Sequence, residues 1–413
     1  MKLLFIADGR SPIATNWISY FCDSGHEVHL ISTYPCHTDL KLTSLRVVPV
    51  GFLSQLGNQP QPTSSKTDNP ESPKLLRRII PVNMRTALRQ WFIPLGIPSA
   101  GRKVTQVIGQ LNPDLVHAMR IPFEGMIASQ AAIIAAQTPD IKKVPILVSV
   151  WGNDFTLHAN STPSMRHYTK KTLTAASALH TDCQRDIQLA LDWGFNPQKQ
   201  HIVLPGSGGV QLDIFHPASA VGSQSALVDS DEIRIINPRG FRAYVQNEAF
   251  FQAIPAVLEN YPKARFLCPN MANETRAHRW VEQLGIKANV DLLPKVPRET
   301  MADLFRSAQI AVSPTTHDGT PNTLLEAMAC GCFPIAGDIE SVREWIHSGD
   351  TGLLVDATNN KMIGEAIITA LQNEELRRSA QAKNISLIAN KAEYYTVMGK
   401  AETFYHQLTS AAK

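Results

Sequence analysis

Short apolar runs alternate with longer amphipathic stretches along almost the whole chain, the pattern of parallel strands separated by helices. KLLFIAD (2–8) reads as a buried strand, SPIATNWISYFCDSG (11–25) as a helix stopped by Gly25, and HEVHLIST (26–33) as the next strand. DLVHAM (114–119) and VPILVSVWG (144–152) are further buried strands, with EGMIASQAAIIAAQ (124–137) at helical spacing between them. LHTDC (179–183), a helix over 184–193 and HIVLP (201–205) complete a first α/β unit. A second starts at EIRIINPRG (232–240) and continues through a helix at 246–260, strands ARFLCP (264–269) and NVDLLP (289–294), and the helix RETMADLFRSA (298–308). Strand IAVSPT (310–315), helix TLLEAMACG (323–331) and strand FPIAG (333–337) follow, and the tail from 359 to 413 has a helical pattern.

A chain of 413 residues is too long for one ordinary core. The expected organisation is α/β, with Rossmann-like parallel-sheet domains at 1–205 and 231–390, a linker at 206–230 and a C-terminal helix at 391–413. Two such sheets joined by a linker are expected to face each other across a cleft, because ligands bind beyond the carboxyl ends of the strands.

With 44% hydrophobic and 18% charged residues, the chain is globular rather than disordered or fibrous. It has no apolar run of 18 residues, so no membrane-spanning helix is expected. The apolar run at the N-terminus, Leu3 to Ala7, is too short for a secretion signal and reads as a first strand. Cysteines at 22, 36, 183, 268, 330 and 332 form no C-x-x-C pair, so neither zinc nor a disulfide framework is expected, and a reducing cytoplasm fits. Net charge is +3, but residues 1–205 carry 20 Lys/Arg against 13 Asp/Glu, whereas the remainder carries 19 against 23. Residues 55–73 form a low-complexity polar loop, and residues 74–103 hold seven Lys/Arg and no Asp/Glu among Leu, Ile, Met, Trp and Phe. Two readings fit that basic run: docking on an anionic membrane surface, or a helical insertion with a solvated basic face. No nucleic-acid-binding module is present.

The strongest chemical signal is His317-Asp318-Gly319-Thr320-Pro321-Asn322-Thr323-Leu324-Leu325-Glu326. A strand, a turn and a helix start in succession bring unpaired backbone N–H groups to one point, which suits a diphosphate. Glu326 can accept hydrogen bonds from two ribose hydroxyls, and Asp318 can do the same for a sugar. The competing reading is a capping box, with Asn322 or Thr323 as the N-cap and Glu326 as its partner.

Asp318-x7-Glu326 followed by Ala327-Met328-Ala329-x-Gly331-x-x-Pro334-Ile335 resembles the E-x7-E and EAMAxGxPV signature of glycosyltransferase family 4, retaining enzymes of the GT-B fold. The resemblance covers nearly the whole chain, including Gly25-His26-Glu27-Val28, Asp114-Leu115-Val116-His117, Gly209-Val210 through Phe215-x-Pro217, Ser341-Val342-Arg343-Glu344 and Gly349-x-x-Gly352-Leu353-Leu354-Val355. It implies that the final helix returns to the first domain. It also implies that Glu326 binds the donor ribose, that Asp318 binds the transferred sugar, and that the amides of Gly319, Thr320, Pro321's neighbour Asn322, Thr323 and Leu324 face sugar and phosphates. Arg239, at a strand end, matches the basic residue on the donor diphosphate; on its own it also reads as a surface arginine. Three positions depart from the pattern: Asp318 is one methylene shorter than Glu, Arg242 stands in for an absent lysine, and Trp151 takes the place where many relatives have a histidine.

On the acceptor side, Gly9 and Arg10 lie in the loop before the first helix, and Trp151 with Asp154 ends a strand. Trp151 can wall a sugar pocket and Asp154 can serve as a base; the bland alternatives are a core Trp and a helix cap. His117 reads either as an acceptor contact or as a core histidine. The expected function is retaining transfer from a UDP- or GDP-linked sugar to a hydroxyl of a saccharide or lipid-linked acceptor, in envelope polysaccharide or glycolipid synthesis at the inner face of the membrane. Transfer to a small soluble acceptor is the alternative, and a non-catalytic sugar-binding subunit is the alternative of another class. Neither a cofactor nor a metal is expected, because no D-x-D motif stands at the expected site.

Overall fold

The computed structural model describes residues 1–50, 90–91, 93–218 and 232–411. The chain divides into two compact units, Met1–Ser207 with Met398–Lys413, and Gly208–Val397. The polar loop 55–73, most of the basic run 74–103 and most of the second half of the linker lie outside the described residues.

The first unit is built on a seven-stranded sheet of β1 (Lys2–Ala7), β2 (Glu27–Ser32), β3 (Ser44–Val47), β4 (Leu115–Ala118), β5 (Ile146–Val150), β6 (Ala178–Thr181) and β7 (His201–Val203). All pairs are parallel, in the order β3-β2-β1-β4-β5-β6-β7. The order reverses between β1 and β4, so the loops leaving these two strands border the switch point where open α/β sheets bind ligands. Both faces of β1 and β4 are buried, which explains their unbroken apolar runs. The helix Pro12–Asp23 begins where Ser11 accepts from the Ala14 amide at 3.4 Å and proline takes the first turn. It buries Ala14, Trp17, Ile18 and Phe21 on one face. The last helix, Tyr394–Ala411, brings Tyr405 onto this unit, where its ring stacks on Phe21 at 4.6 Å and its hydroxyl accepts from Trp17 Nε1 at 2.9 Å.

The second unit has a six-stranded parallel sheet of β8 (Arg234–Ile236), β9 (Arg265–Cys268), β10 (Val290–Leu292), β11 (Ile310–Ser313), β12 (Phe333–Gly337) and β13 (Leu353–Val355), ordered β10-β9-β8-β11-β12-β13. Its switch point falls between β8 and β11. Phe250, Phe251, Phe266 and Phe333 fill the core on one side of this sheet, and Phe305, Leu325, Met328 and Trp345 fill the other. Cys330 and Cys332 are buried at the turn into β12, and all six cysteines are free. The apolar pattern anticipates each of these cores; it passes over β3, the helices Ile97–Leu111, Pro163–Ala175 and Thr275–Gln283, and β13 as elements.

Candidate active site

In the second unit, the loops leaving β8 and β11 are stitched together. Thr316 N donates to Tyr244 O at 3.0 Å, Gln246 N donates to Pro314 O at 2.8 Å, and Val245 bridges Thr315. A Cβ at Gly337 would collide with the Thr315 carbonyl oxygen, so only glycine lets β12 pass this close to the second loop. Within the first loop, Asn237 Oδ1 accepts from the Arg239 amide at 3.1 Å, and Asn247 bonds both Asn237 (3.0 Å) and Gly240 O (2.8 Å). Gly240 takes a φ of +58°, the left-handed bend that turns Arg239 back across the strand ends.

The Arg239 guanidinium pairs with the Asp318 carboxylate and donates from Nη1 to Thr323 Oγ1 at 3.1 Å, which places it beside the start of the helix Asn322–Ala329. Asp318 is fixed in turn: its Oδ1 accepts from Gly319 N at 3.1 Å and its carbonyl accepts from Ser341 Oγ at 2.8 Å. Thr320 is buried against Trp345 Nε1 at 3.2 Å. The residue before the helix is Pro321, whose side chain makes no cap bond, and Glu326 is the fifth helical residue. The capping-box reading therefore fails on geometry, because that motif needs a polar N-cap and a carboxylate three residues later. The first turn presents its amides with a guanidinium alongside, an arrangement suited to a diphosphate.

Glu326 lies one turn further on, with its side chain 16% exposed and Arg298 Nη2 3.8 Å away. Burial pushes its carboxyl up to about 7, and Arg298 limits the rise. Arg298 also donates to Gln211 Oε1 at 2.8 Å and lies over the Phe215 ring. Arg298 stands 28 residues before Glu326, and nothing in its local sequence ties the two together; they meet only in three dimensions. Arg242, expected to supply a second phosphate contact, is exposed and donates to Phe241 O at 2.9 Å.

The first unit gathers a second group at its switch point. Arg10 pairs with Asp8 at 2.8 Å and lies 3.9 Å from the Tyr34 ring centre, while Gly9 N donates to Ser32 Oγ at 3.0 Å. Asp154 is wholly buried: Oδ1 accepts from Arg120 Nη2 at 2.9 Å, and Oδ2 accepts from the amides of Ile121 (2.9 Å) and Trp151 (3.2 Å). This corrects the reading of Asp154 as an acceptor base, since its lone pairs are committed to holding a loop. One face of Trp151 is taken by the Arg120 guanidinium, which lies 5.6 Å from its ring centre. His117 is a core residue rather than an acceptor contact: it is 1% exposed, Tyr405 Oη stands 2.5 Å from Nδ1 and Ser149 Oγ 2.7 Å from Nε2. Sequence reading passed over Arg120 and Glu124, which lie in the tail of a strand and the start of a helical pattern. Among the described residues, Asp182, Cys183 and Asp186 form the one cluster of metal-capable side chains, and Arg185 already places a cation 2.8 Å from Asp186.

Two family models match the chain: the "Glycosyl transferase 4-like domain" over residues 9–206 and "Glycosyl transferases group 1" over residues 224–386. The chain is a member of the group 1, family 4 glycosyltransferases. The family's two-domain GT-B fold is also that of its structural neighbours. Sucrose-phosphate synthase from Thermosynechococcus elongatus aligns over 100% of both chains with a TM-score of 0.73 and 15% identity. The Anabaena protein HepE, solved in complex with UDP, aligns over 98% of this glycosyltransferase and 99% of its own chain, with a TM-score of 0.70 and 13% identity. At such identities the likeness speaks for the fold. Curated relatives include the D-inositol 3-phosphate glycosyltransferase of Geodermatophilus obscurus, 26% identical over 46% of this chain and 44% of that protein. Its namesake in Mycobacterium tuberculosis is 26% identical over 39% of this chain and 34% of its own length. The match thus spans less than half the length of these relatives.

Proposed function

We propose that this glycosyltransferase moves a sugar from a nucleoside diphosphate sugar to an acceptor hydroxyl with retention of anomeric configuration. The observation that carries the reading is the helix Asn322–Ala329, which starts without a side-chain cap and has Arg239 anchored beside it by Thr323 and Asp318. Negative charge grows on the diphosphate as the sugar leaves, and Arg239 together with the first-turn amides can stabilise it. Asp318 then binds the sugar and Glu326 the ribose, as the family resemblance implies. With Asp154 buried under Arg120, the leaving phosphate is the better acceptor for the hydroxyl proton.

The nucleotide is most simply UDP, the ligand in the HepE complex. A thermal-shift panel of UDP, GDP and ADP with their sugars tests this, because a ligand of the native state raises its stability by mass action. At least one diphosphate should stabilise the wild type, and Arg239→Ala should remove most of that shift. A panel without any shift, or a shift that survives in Arg239→Ala, overturns the reading.

One observation favours a lipid-borne acceptor. Trp91 (58%), Leu95 (76%) and Leu157 (40%) are exposed, and Gln90 ties their segments together through His158 Nδ1 at 3.1 Å and Thr162 Oγ1 at 3.3 Å. Arg166, His167 and Lys170 border a depression of about 430 Å³ next to Thr162. Apolar tips beside basic side chains suit an anionic membrane surface. No helix among the described residues is long and apolar enough to cross a membrane.

A further inference from the structure

The helix Arg298–Ser307 opens on Arg298, directly after Pro297, and has no side-chain cap. A cation is disfavoured there, because the amino end of a helix carries partial positive charge; an acid such as the following Glu299 suits the first turn better. Arg298 is nevertheless fixed in place. Its Nη1 donates to Gln211 Oε1 at 2.8 Å, and its guanidinium carbon lies 5.3 Å from the centre of the buried Phe215 ring. The segment that carries both partners is fastened again further along the same helix, where Arg306 donates to Ile214 O at 3.0 Å and Phe305 lies 6.3 Å from Phe215. This helix shares one core with the helix Asn322–Ala329 through Ala302, Phe305, Leu324 and Met328. The guanidinium and the Glu326 carboxyl thus project from two elements that are packed together. At 3.8 Å, Nη2 is too far from Oε1 for a hydrogen bond, yet near enough for its charge to act. The cation favours the ionised carboxylate without using up one of its lone pairs.

We propose that Arg298 is a positioning residue for the donor nucleotide: its charge, held in place by Gln211 and Phe215, makes Glu326 an anionic acceptor for two ribose hydroxyls at neutral pH. The inference rests on the donor reading above and adds a residue to its nucleotide site. Two hydroxyls that face one carboxylate can both donate to its ionised form, whereas the protonated form spends one oxygen as a donor. Burial pushes the Glu326 carboxyl up to about 7, and Arg298 limits the rise. The other charged and titratable groups nearby have their own partners. Arg239 stands at the first turn of the Glu326 helix, paired with Asp318 and Thr323. Cys330, one turn beyond Glu326, feels its charge, and Asp303 and Arg306 act on Cys330. Binding that needs the ionised carboxyl weakens by the fraction of chains in which it is charged. Affinity for the donor should therefore rise with pH through neutrality, and Arg298 sets where that rise falls.

The probe is UDP-glucose, GDP-mannose or ADP-glucose, whichever binds the whole chain most tightly by calorimetry. Each is a diphosphate diester with no proton to gain or lose between pH 6 and 8.5. Its affinity for the wild type should rise roughly tenfold over that range, the change in the charged fraction of a carboxyl that titrates near 7. Arg298→Gln should bind about fivefold more weakly at pH 7 and come within about twofold of the wild type at pH 8.5, because Glu326 then titrates about one pH unit higher. Arg298→Lys should recover most of the loss, since a charge rather than a planar fork is what acts at this distance. A ligand-free readout stands beside these. The melting-temperature difference between the wild type and Glu326→Gln changes with pH, and its midpoint should move up by about one pH unit when Arg298→Gln is added to both. Binding that ignores pH, a loss in Arg298→Gln that is equal at pH 7 and pH 8.5, or an unmoved melting midpoint overturns the proposal and leaves the donor reading standing. No binding of any of the three probes at any pH overturns the donor reading and the proposal with it.

Discussion

A carboxyl at the fifth position of the helix Asn322–Ala329, screened from water and 3.8 Å from the Arg298 guanidinium, keeps its proton up to about 7. An unfolded glutamate loses that proton near 4.5, so between those values the folded state binds more protons and stability falls as pH rises. Above neutrality the charge costs at most about 3 kcal/mol. Glu326→Gln should therefore raise the melting temperature of the ligand-free protein at pH 8 by about 5 °C while abolishing the diphosphate shift. A variant that melts lower, or that still responds to the diphosphate, contradicts this account. At this scale Asp318, Glu326 and Arg239 stand out as candidates because one local string carries the first two and a strand end marks the third. Arg298, Arg120 and Glu124 do not, because their partners are distant in sequence and no spacing rule connects them.

Among elements, the return of the last helix is fixed by a hydrogen-bond chain whose direction can be deduced. Leu204 O can only accept, so His180 donates to it from Nε2 at 2.9 Å and must receive on Nδ1 from Ser149 Oγ at 2.8 Å. Ser149 then accepts from His117 Nε2, and His117 Nδ1 receives the Tyr405 hydroxyl proton, while Trp17 Nε1 donates to Tyr405 Oη. Burial keeps both imidazoles neutral, holding His180 down to about 4 and His117 well below its ordinary value. Unfolded histidines take protons near 6.5, so the stability these groups supply is complete above that pH and is lost as pH falls toward about 4. Tyr405→Phe would leave Trp17 N–H and His117 Nδ1 without partners, and should cost about 2 kcal/mol in urea unfolding at pH 7; an unchanged midpoint would show that the chain does not hold the helix. The apolar run DLVHAM announced the strand, but whether its histidine faced a ligand or Tyr405, almost three hundred residues later, depends on a contact no local pattern records.

Over the whole molecule, alternation of apolar runs was enough to find two α/β units because central parallel strands are buried on both faces and announce themselves. Edge strands do not: Leu45 and Val47 of β3 are 38% and 43% exposed, and SLRV carries no buried run. The first unit also reclaims residues from 398 onward, so its chain is discontinuous, a division that a linear reading with a terminal helix at 391–413 only approximates. The central claim is that the diphosphate of the donor sits on the amino end of the helix Asn322–Ala329 beside Arg239. Amide hydrogen exchange with and without saturating UDP, read by peptide across both units, tests it most directly. The account predicts slowed exchange over 318–326 and 237–242; protection confined to other segments, with these two unchanged, would contradict it.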